Sequence, residues 1–438
     1  MPDTIFAVAT SAGRAAICVV RLSGSGAGPA LVTLTSEALP VARRASLRAL
    51  RRPGDGEVLD RALVLWMPAP ASATGEDVVE LHLHGGAALV AGVLNALADL
   101  PGLRQARPGE FTRRGLLNDR LTLPEAEALA DLIDAETEAQ RQQAQRQMDG
   151  ALEHWASQQR EALLAALATA EAGIDFADEP DVAGDFASEA CRGATLLLAA
   201  VRDALQSAAV STRVREGAVV VLAGPPNAGK STLLNALARR DVAIVSPVAG
   251  TTRDAIEVRL DLGGHLVTVV DTAGLQATLD PVEQEGVARA RMRARTADLV
   301  LWLSEAGHPA PPDPAFTGLP LWRVATKTDL ADASALTDHA VAATTGAGLA
   351  ELEASLAVFL AGGSDGGAAG LVTRERHRAA LRAAEAALAG VVAAGSAAPL
   401  EVMVEGLLEA ASALDALVGH LATDDVLDAV FARFCIGK

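Results

Sequence analysis

The stretch Gly224-Pro-Pro-Asn227-Ala228-Gly229-Lys230-Ser231 holds residues whose types and spacing could bind a phosphate. Glycines let backbone amides close round an anion, and a following helix N-terminus adds partial positive charge. Lys230 can reach the β- and γ-phosphates of a nucleotide, and the Ser231 hydroxyl can bind Mg²⁺. The pattern alone is a weak signal, because it recurs by chance in long chains. Its context is stronger. The apolar run Ala218-Val-Val-Val-Leu222 precedes the loop and reads as a strand, and Thr232-Leu-Leu-Asn-Ala-Leu-Ala238 follows it as a helix.

Further signatures follow downstream in the order a GTPase requires. Gly250-Thr-Thr-Arg-Asp254 suits a mobile switch segment that supplies a threonine hydroxyl to Mg²⁺. Asp271-Thr272-Ala273-Gly274 ends the apolar run 266–270. Its carboxylate can hold the Mg²⁺ shell through water, and Gly274 lets the backbone amide approach the γ-phosphate. Thr326-Lys327-Thr328-Asp329 ends another apolar segment, and Asp329 can accept hydrogen bonds from N1 and N2 of guanine. The string Ala342-Ala343-Thr-Thr-Gly-Ala-Gly348 fits a loop packed against the base. All of these in order, within one α/β unit, point to GTP.

Two departures carry expectations of their own. Asparagine usually opens the base-reading motif, so Thr326 is expected to brace the phosphate loop more weakly and to lose a base contact. Leu275 follows Asp-Thr-Ala-Gly where Ras-like switches place a water-orienting glutamine, and leucine cannot orient water.

The elements that must position these residues are legible in outline. The 438 residues suffice for two to four domains. Residues 1–120 read as mixed α and β, with strands at Ala15–Val20 and Val78–His84 and a helix over Ala87–Leu100. From Leu121 the texture turns to long helices. Thr122 with Pro124 and Glu125 resembles a capping box, and helices are expected over 153–172 and 188–208. Residues 217–361 alternate apolar runs with helical patterns, as a parallel sheet with crossover helices would. Gly362–Gly370 is a flexible linker by composition, and 373–438 returns to helical texture. The economical reading is an α/β + α multidomain chain: a helical domain in two sequence-distant parts, with an α/β domain inserted between them.

A net charge of −18 argues against nonspecific coating of nucleic acid. Two basic stretches remain, Arg43, Arg44, Arg48, Arg51, Arg52 and Arg374, Arg376, Arg378. Each is a solvated face or a place for an RNA phosphate. No apolar run spans a bilayer, residues 1–20 lack the basic start of a signal peptide, and Cys18, Cys191 and Cys435 lie far apart. A cytoplasmic protein without membrane insertion is expected, with Cys18 and Cys191 as core thiols. On a strand, Glu80, His82 and His84 share one face, which leaves open a metal site or a packed role for the histidines.

Beyond the nucleotide motifs, the first-domain strings Thr74-Gly-Glu-Asp77, His84-Gly-Gly86, Ala106-Arg-Pro-Gly-Glu-Phe111 and Leu117-Asn-Asp119, with the ending Phe434-Cys-Ile-Gly-Lys438, resemble the MnmE (TrmE) family of tRNA-modifying GTPases. The resemblance covers the whole chain. It implies an N-terminal folate-binding and dimerisation domain over 1–120, helical parts over 121–216 and 371–438, and an inserted Ras-like P-loop GTPase domain over 217–370. It further implies a homodimer that joins an FAD-dependent MnmG-type partner in a heterotetramer or larger complex. On tRNA, that complex would install an aminomethyl or carboxymethylaminomethyl group at C5 of the wobble uridine U34. The one-carbon unit would come from a tetrahydrofolate derivative, in the 5-formyl or 5,10-methylene form.

Residue by residue, the resemblance implies GTP contacts from Asn227 to Thr232 and at Ser246, Thr251, Thr252, Asp271 to Gly274, Thr326, Lys327, Asp329 and Ala343. Mg²⁺ would be held by Ser231 and Thr252, and K⁺ by Asn227, Ser246, Val248 and Thr251. Glu283 falls where the family places the carboxylate that orients the attacking water, which answers the difficulty of Leu275. Gln276 stands where some relatives carry arginine. Folate would meet Arg21, Glu80, Arg120 (for the usual lysine) and Lys438. Cys435 would lie beside the folate pocket with a role in one-carbon chemistry. As a residue type, a lone cysteine there is most often a passive packed thiol.

Overall fold

The computed structural model describes residues 3–11, 13–176, 185–238, 257–271, 297–334, 336–361, 370–419, 424–432, 434 and 437. Two compact units emerge: residues 1–130 with 418–438, and residues 131–417.

The first unit is built on a six-stranded sheet. Its strands are β1 Thr4–Val8, β2 Ile17–Ser23, β3 Ser46–Arg51, β4 Val58–Met67, β5 Val78–His84 and β6 Leu103–Gln105, in the order β3-β4-β5-β2-β1-β6. Only β1 and β6 pair in parallel. Alternation along β2 and β5 sends Val20, Leu22, Leu81 and Leu83 into a core with helices α1 Ala27–Thr35 and α2 Ala87–Ala98. The intervening Arg21, Glu80 and His82 are only partly buried. β5 spans the expected residues, but β2 starts two residues later than expected. The strand pairing ends where Ile17 meets His84, and beyond it Gly85 N still donates to Ala16 O at 3.3 Å as the chain turns away.

Two further helices of this unit are α3 Glu110–Leu117 and α4 Leu123–Asp134, and the boundary between the units falls inside α4. The expected capping box is present: Thr122 N donates to Glu125, and Glu125 N donates to Thr122 Oγ1. Near the C-terminus, Gly437 adopts φ 103° and passes so close to β1 that a Cβ would lie 2.0 Å from the Val8 carbonyl oxygen. Only glycine fits there.

In the second unit, long helices enclose an inserted sheet module. The helices are α5 Glu138–Met148, α6 Ala151–Asp175 and α7 Phe186–Glu216 before the module. Within it, α8 Lys230–Ala238 and α9 Leu349–Ala361 cross the sheet, and α10 Glu375–Ala394 and α11 Leu400–Val418 follow. A last helix, α12 Asp424–Phe431, belongs to the first unit. α7 packs against both α6 and α10, burying Leu163, Leu197, Val201, Leu381 and Leu388.

Polar α5 is held by three buried glutamines that bond backbone carbonyls on both chain crossings. Gln140 donates to Arg215 O (2.9 Å) and Gln143 to Ser211 O (3.0 Å). Gln147 donates to Gly370 O and Leu371 O (2.8 and 2.7 Å). Asp131 adds ion pairs to Arg215 and Arg374.

The module's strands are β7 Ala218–Ala223, β8 Glu257–Leu262, β9 His265–Asp271, β10 Leu299–Glu305, β11 Leu321–Thr326 and β12 His339–Ala340, in the order β12-β11-β10-β7-β9-β8. All neighbours are parallel except β8 and β9. Such strands are covered on both faces, which explains why β7 and β10 read as nearly unbroken apolar runs.

The arginines 374, 376 and 378 are all engaged within the chain. Arg374 bonds Asp131, Arg376 bonds Leu417 O, and Arg378 bonds Glu375 and Thr212. In the first stretch, Arg48 pairs with Glu37 and Arg52 with Asp55. Cys18 is buried as expected, whereas Cys191 is only half-buried. Among the described residues no helix is long and apolar enough to cross a membrane.

In the first unit, burial pushes the Glu110 carboxyl up. Hydrogen bonds from Arg104, the Arg107 amide and Arg114 outweigh this and hold it below its usual 4.5. The stability it contributes is therefore present above about pH 4.5 and lost as pH falls through the lower folded-state value. Glu110→Gln should destabilise the protein at pH 7, and the gap to wild type should shrink steadily from pH 5 to pH 3 in urea unfolding. A constant gap would refute this assignment.

Candidate functional site

β7 delivers the chain to the carboxyl edge of the second sheet, where Gly224 must turn it. With φ 147°, a Cβ on this residue would lie 2.2 Å from Leu303 O. The loop then passes exposed Asn227, which takes a left-handed φ of 64°, and α8 begins at Lys230. Lys230 is buried, and its Nζ donates to the carbonyls of Gly224 and Pro225, both at 2.9 Å. Ser231 Oγ donates to Asp271 Oδ2 at 2.7 Å. Asp271 closes β9 directly opposite Leu222 of β7, so sheet register places it under the loop. A hydroxyl beside a carboxylate is a hard-oxygen set suited to Mg²⁺. Thr232 lies exposed in the first turn of α8.

The base-reading end is built by β10 and β11. Thr326, buried at the end of β11, donates through Oγ1 to Ala228 O of the phosphate loop (2.8 Å) and lies 3.2 Å from Ser304 O. The brace expected to be weakened by the loss of asparagine is thus present in hydroxyl form. Lys327 has φ 56° and pairs with Glu305 at 3.1 Å. Asp329 Oδ2 accepts from Thr344 Oγ1 at 3.0 Å, which sets the turn carrying Ala343 beside this carboxylate. Thr344 escaped the sequence reading, because hydroxyl residues are too common in turns to stand out.

Ser246, Val248, Thr251, Thr252, Thr272, Ala273, Gly274, Leu275, Gln276 and Glu283 lie outside the described residues, as do Cys435 and Lys438.

In the first unit, Arg21 and Glu80 face each other across the β2–β5 ladder and form an ion pair of 2.8 Å. The Arg21 guanidinium sits 5.9 Å from the Phe111 ring centre. A separate set of contacts lies around Arg120. Ser23 bonds Thr74 (2.7 Å) and Asn118 bonds Thr74 O (2.7 Å), with Arg120 packed beside neighbouring Gly75. His82 lies 3.4 Å from Glu80, while His84 turns to buried Asp60 at 2.8 Å. Among the described residues no group of three or more acidic, histidine or cysteine side chains could hold a metal, so the histidines of β5 do not support the metal reading. The first unit also holds an apolar cavity of about 640 Å³, lined by Phe6, Val8, Ile17, Cys18, Val90 and Leu94.

Comparison with known proteins decides the family. The description "GTP-binding protein TrmE N-terminus" matches residues 4–120, and "MnmE helical domain" matches residues 123–435. "tRNA modification GTPase MnmE" of Methylobacterium sp. (strain 4-46) is 54% identical, over 100% of both chains. The chain belongs to the MnmE family. Its likeness to the same-named protein of Methylorubrum populi is also 54%, over 100% of this chain and 98% of that one. That of Rhodopseudomonas palustris is 49% identical, over 100% and 99%. This MnmE-family chain is therefore a GTP-binding tRNA modification GTPase, with a TrmE-type first domain, a helical domain and a P-loop GTPase-like module.

Because Gly224 has no room for a Cβ, Gly224→Ala should strain the loop by about 1–3 kcal/mol. GTP affinity should fall roughly 5- to 100-fold in a fluorescence titration. Wild-type affinity in that variant would contradict the described turn.

Proposed function

We propose that this MnmE-family GTPase is stimulated by K⁺ and works with a flavin-dependent partner of the MnmG type. Together they add an aminomethyl or carboxymethylaminomethyl group to C5 of the wobble uridine of certain tRNAs, using a one-carbon unit from a tetrahydrofolate. The observation that supports the nucleotide chemistry best is the cluster of Lys230, Ser231 and Asp271 beneath the Gly224 turn. The tRNA chemistry rests on the full-length likeness to relatives named tRNA modification GTPase.

In this reading, Lys230 exchanges its two carbonyl partners for β- and γ-phosphate oxygens, since charge-assisted bonds to anionic oxygen are the stronger. Ser231 and Thr252 hold Mg²⁺, with Asp271 bonding its hydration shell, and the ion when bound neutralises charge on the β- and γ-phosphates. Asn227, Ser246, Val248 and Thr251 hold K⁺. That ion supplies positive charge toward the transition state where other GTPases receive an arginine. The exposed, left-handed Asn227 at the loop centre is compatible with this role. Glu283 orients the water that attacks the γ-phosphorus, and the bond to the β–γ bridging oxygen breaks. Asp329 reads guanine, with Lys327 and Ala343 shaping the base pocket and Thr326 bracing the phosphate loop. Thr272, Ala273 and Gly274 approach the γ-phosphate.

Arg21, Glu80, Arg120 and Lys438 contact the folate, and cationic groups suit its anionic glutamate tail. Cys435 lies beside it and contributes to the one-carbon step. The chain acts in the cytoplasm as a homodimer through residues 1–120, with the GTPase domain taken as 217–370 between helical parts 121–216 and 371–438. Dimerised GTPase domains face each other on GTP binding, and the dimer joins its flavoprotein partner in a heterotetramer or larger complex.

GTP hydrolysis should run several-fold faster in KCl than in NaCl at equal ionic strength, and equal rates would refute the potassium assignment. Nucleoside analysis of tRNA from cells lacking the protein should show unmodified wobble uridine. Unchanged wobble nucleosides would refute the tRNA assignment.

A further inference from the structure

We propose that two threonine hydroxyls, on Thr326 and Thr344, divide the work of nucleotide recognition: one sets affinity through the phosphate loop, the other sets base discrimination through Asp329. The inference rests on Asp329 as the guanine reader.

Thr326 is 4% exposed and stands where three elements meet. Its strand β11 pairs with β10, and its hydroxyl reaches Ala228 O at 2.8 Å and Ser304 O at 3.2 Å. A hydroxyl carries one proton, so it serves one carbonyl at a time, and the shorter contact goes to the phosphate loop. The β-branched side chain is stiff at χ1, so holding this bond costs less ordering than a longer amide side chain would require. The Thr326 side chain also lies 3.7 Å from where a Cβ on Gly229 would sit, so it packs along the loop that it bonds. Nothing in this contact faces the base. Its effect should fall on every nucleotide that carries the phosphates.

Thr344 acts elsewhere. Its hydroxyl donates to Asp329 Oδ2 at 3.0 Å from a turn closed on Ala342, whose carbonyl accepts from Thr345 N (3.2 Å) and Gly346 N (2.8 Å). A bond from Ala342 N to Ala347 O (2.9 Å) ties the base of this turn. These bonds hold the backbone that carries Thr344, and its hydroxyl favours one rotation of the exposed Asp329 carboxylate. Guanine presents two donors to that carboxylate and hypoxanthine presents one, so a well-oriented Asp329 favours GTP over ITP. Both threonines are positioning residues.

Full-length Thr326→Val should weaken GTP, GDP and ITP alike by about 3- to 10-fold, as the loss of one hydrogen bond would. The GTP-to-ITP affinity ratio should stay put, and Thr326→Ser should return to within about twofold of wild type. Thr344→Val should leave ITP binding near wild type and lower the GTP-to-ITP ratio about 3- to 10-fold, with Thr344→Ser restoring it. Equal losses in Thr326→Val and Thr326→Ser would indicate packing alone and overturn the inference, as would an unchanged ratio in Thr344→Val. Asp329→Asn separates the two levels. A shift of preference from GTP to XTP upholds base reading whatever the threonines do, and its absence would bring down base reading and this inference together.

Discussion

Parallel pairing in register is the constraint on which the nucleotide site depends. β9, β7, β10 and β11 run side by side, with Leu222 opposite Asp271 and Ala223 opposite Trp302, while β10 and β11 run on past β7 to end together at Glu305 and Thr326. Burial on both faces selects apolar side chains within the strands, so polar groups first become affordable where each strand leaves the core. Asp271, Glu305 and Thr326 stand at those points. A slip of one residue would turn each to the opposite face. The Lys230 and Ser231 contacts described above follow from this alignment, because the loop after β7 reaches over the same edge.

The antiparallel sheet of the first unit offers a different kind of site. It presents a face rather than an edge. Alternation along β2 and β5 lifts Arg21, Glu80 and His82 out of the layer whose neighbours bury Val20, Leu22, Leu81 and Leu83. Cross-strand pairing then sets Arg21 against Glu80 without help from a loop. One chain thus gathers polar groups in two ways, at a strand edge in one sheet and on a face in the other.

Much of this was legible in the amino-acid order because the deciding signals are local. The apolar runs of β7 and β10, the loop glycines and the Thr122–Glu125 capping box each lie within a few residues of what they determine. The opposite holds where partners are remote. Arg374 looked like part of a basic surface because its partner, Asp131, is far away in the chain. Arg378 finds Thr212 in the same way. For Thr326 the sequence cannot say which atom its hydroxyl meets, because that depends on where Ala228 O comes to rest in three dimensions. The start of β2 depends on where β5 gives way to the Gly85 turn, which Ala15 and Ala16 do not reveal by themselves.

The glutamines of α5 carry a mechanical consequence. A module attached to its host by one covalent crossing can swivel about that bond, and a second loose crossing adds little. Here Gln143 and Gln147 hold the inbound segment at Ser211 and the outbound segment at Gly370 and Leu371, while Asp131 grips Arg215 and Arg374. The two crossings are clamped side by side on one helix. The inserted sheet is therefore held to its host at two neighbouring points rather than hung from one.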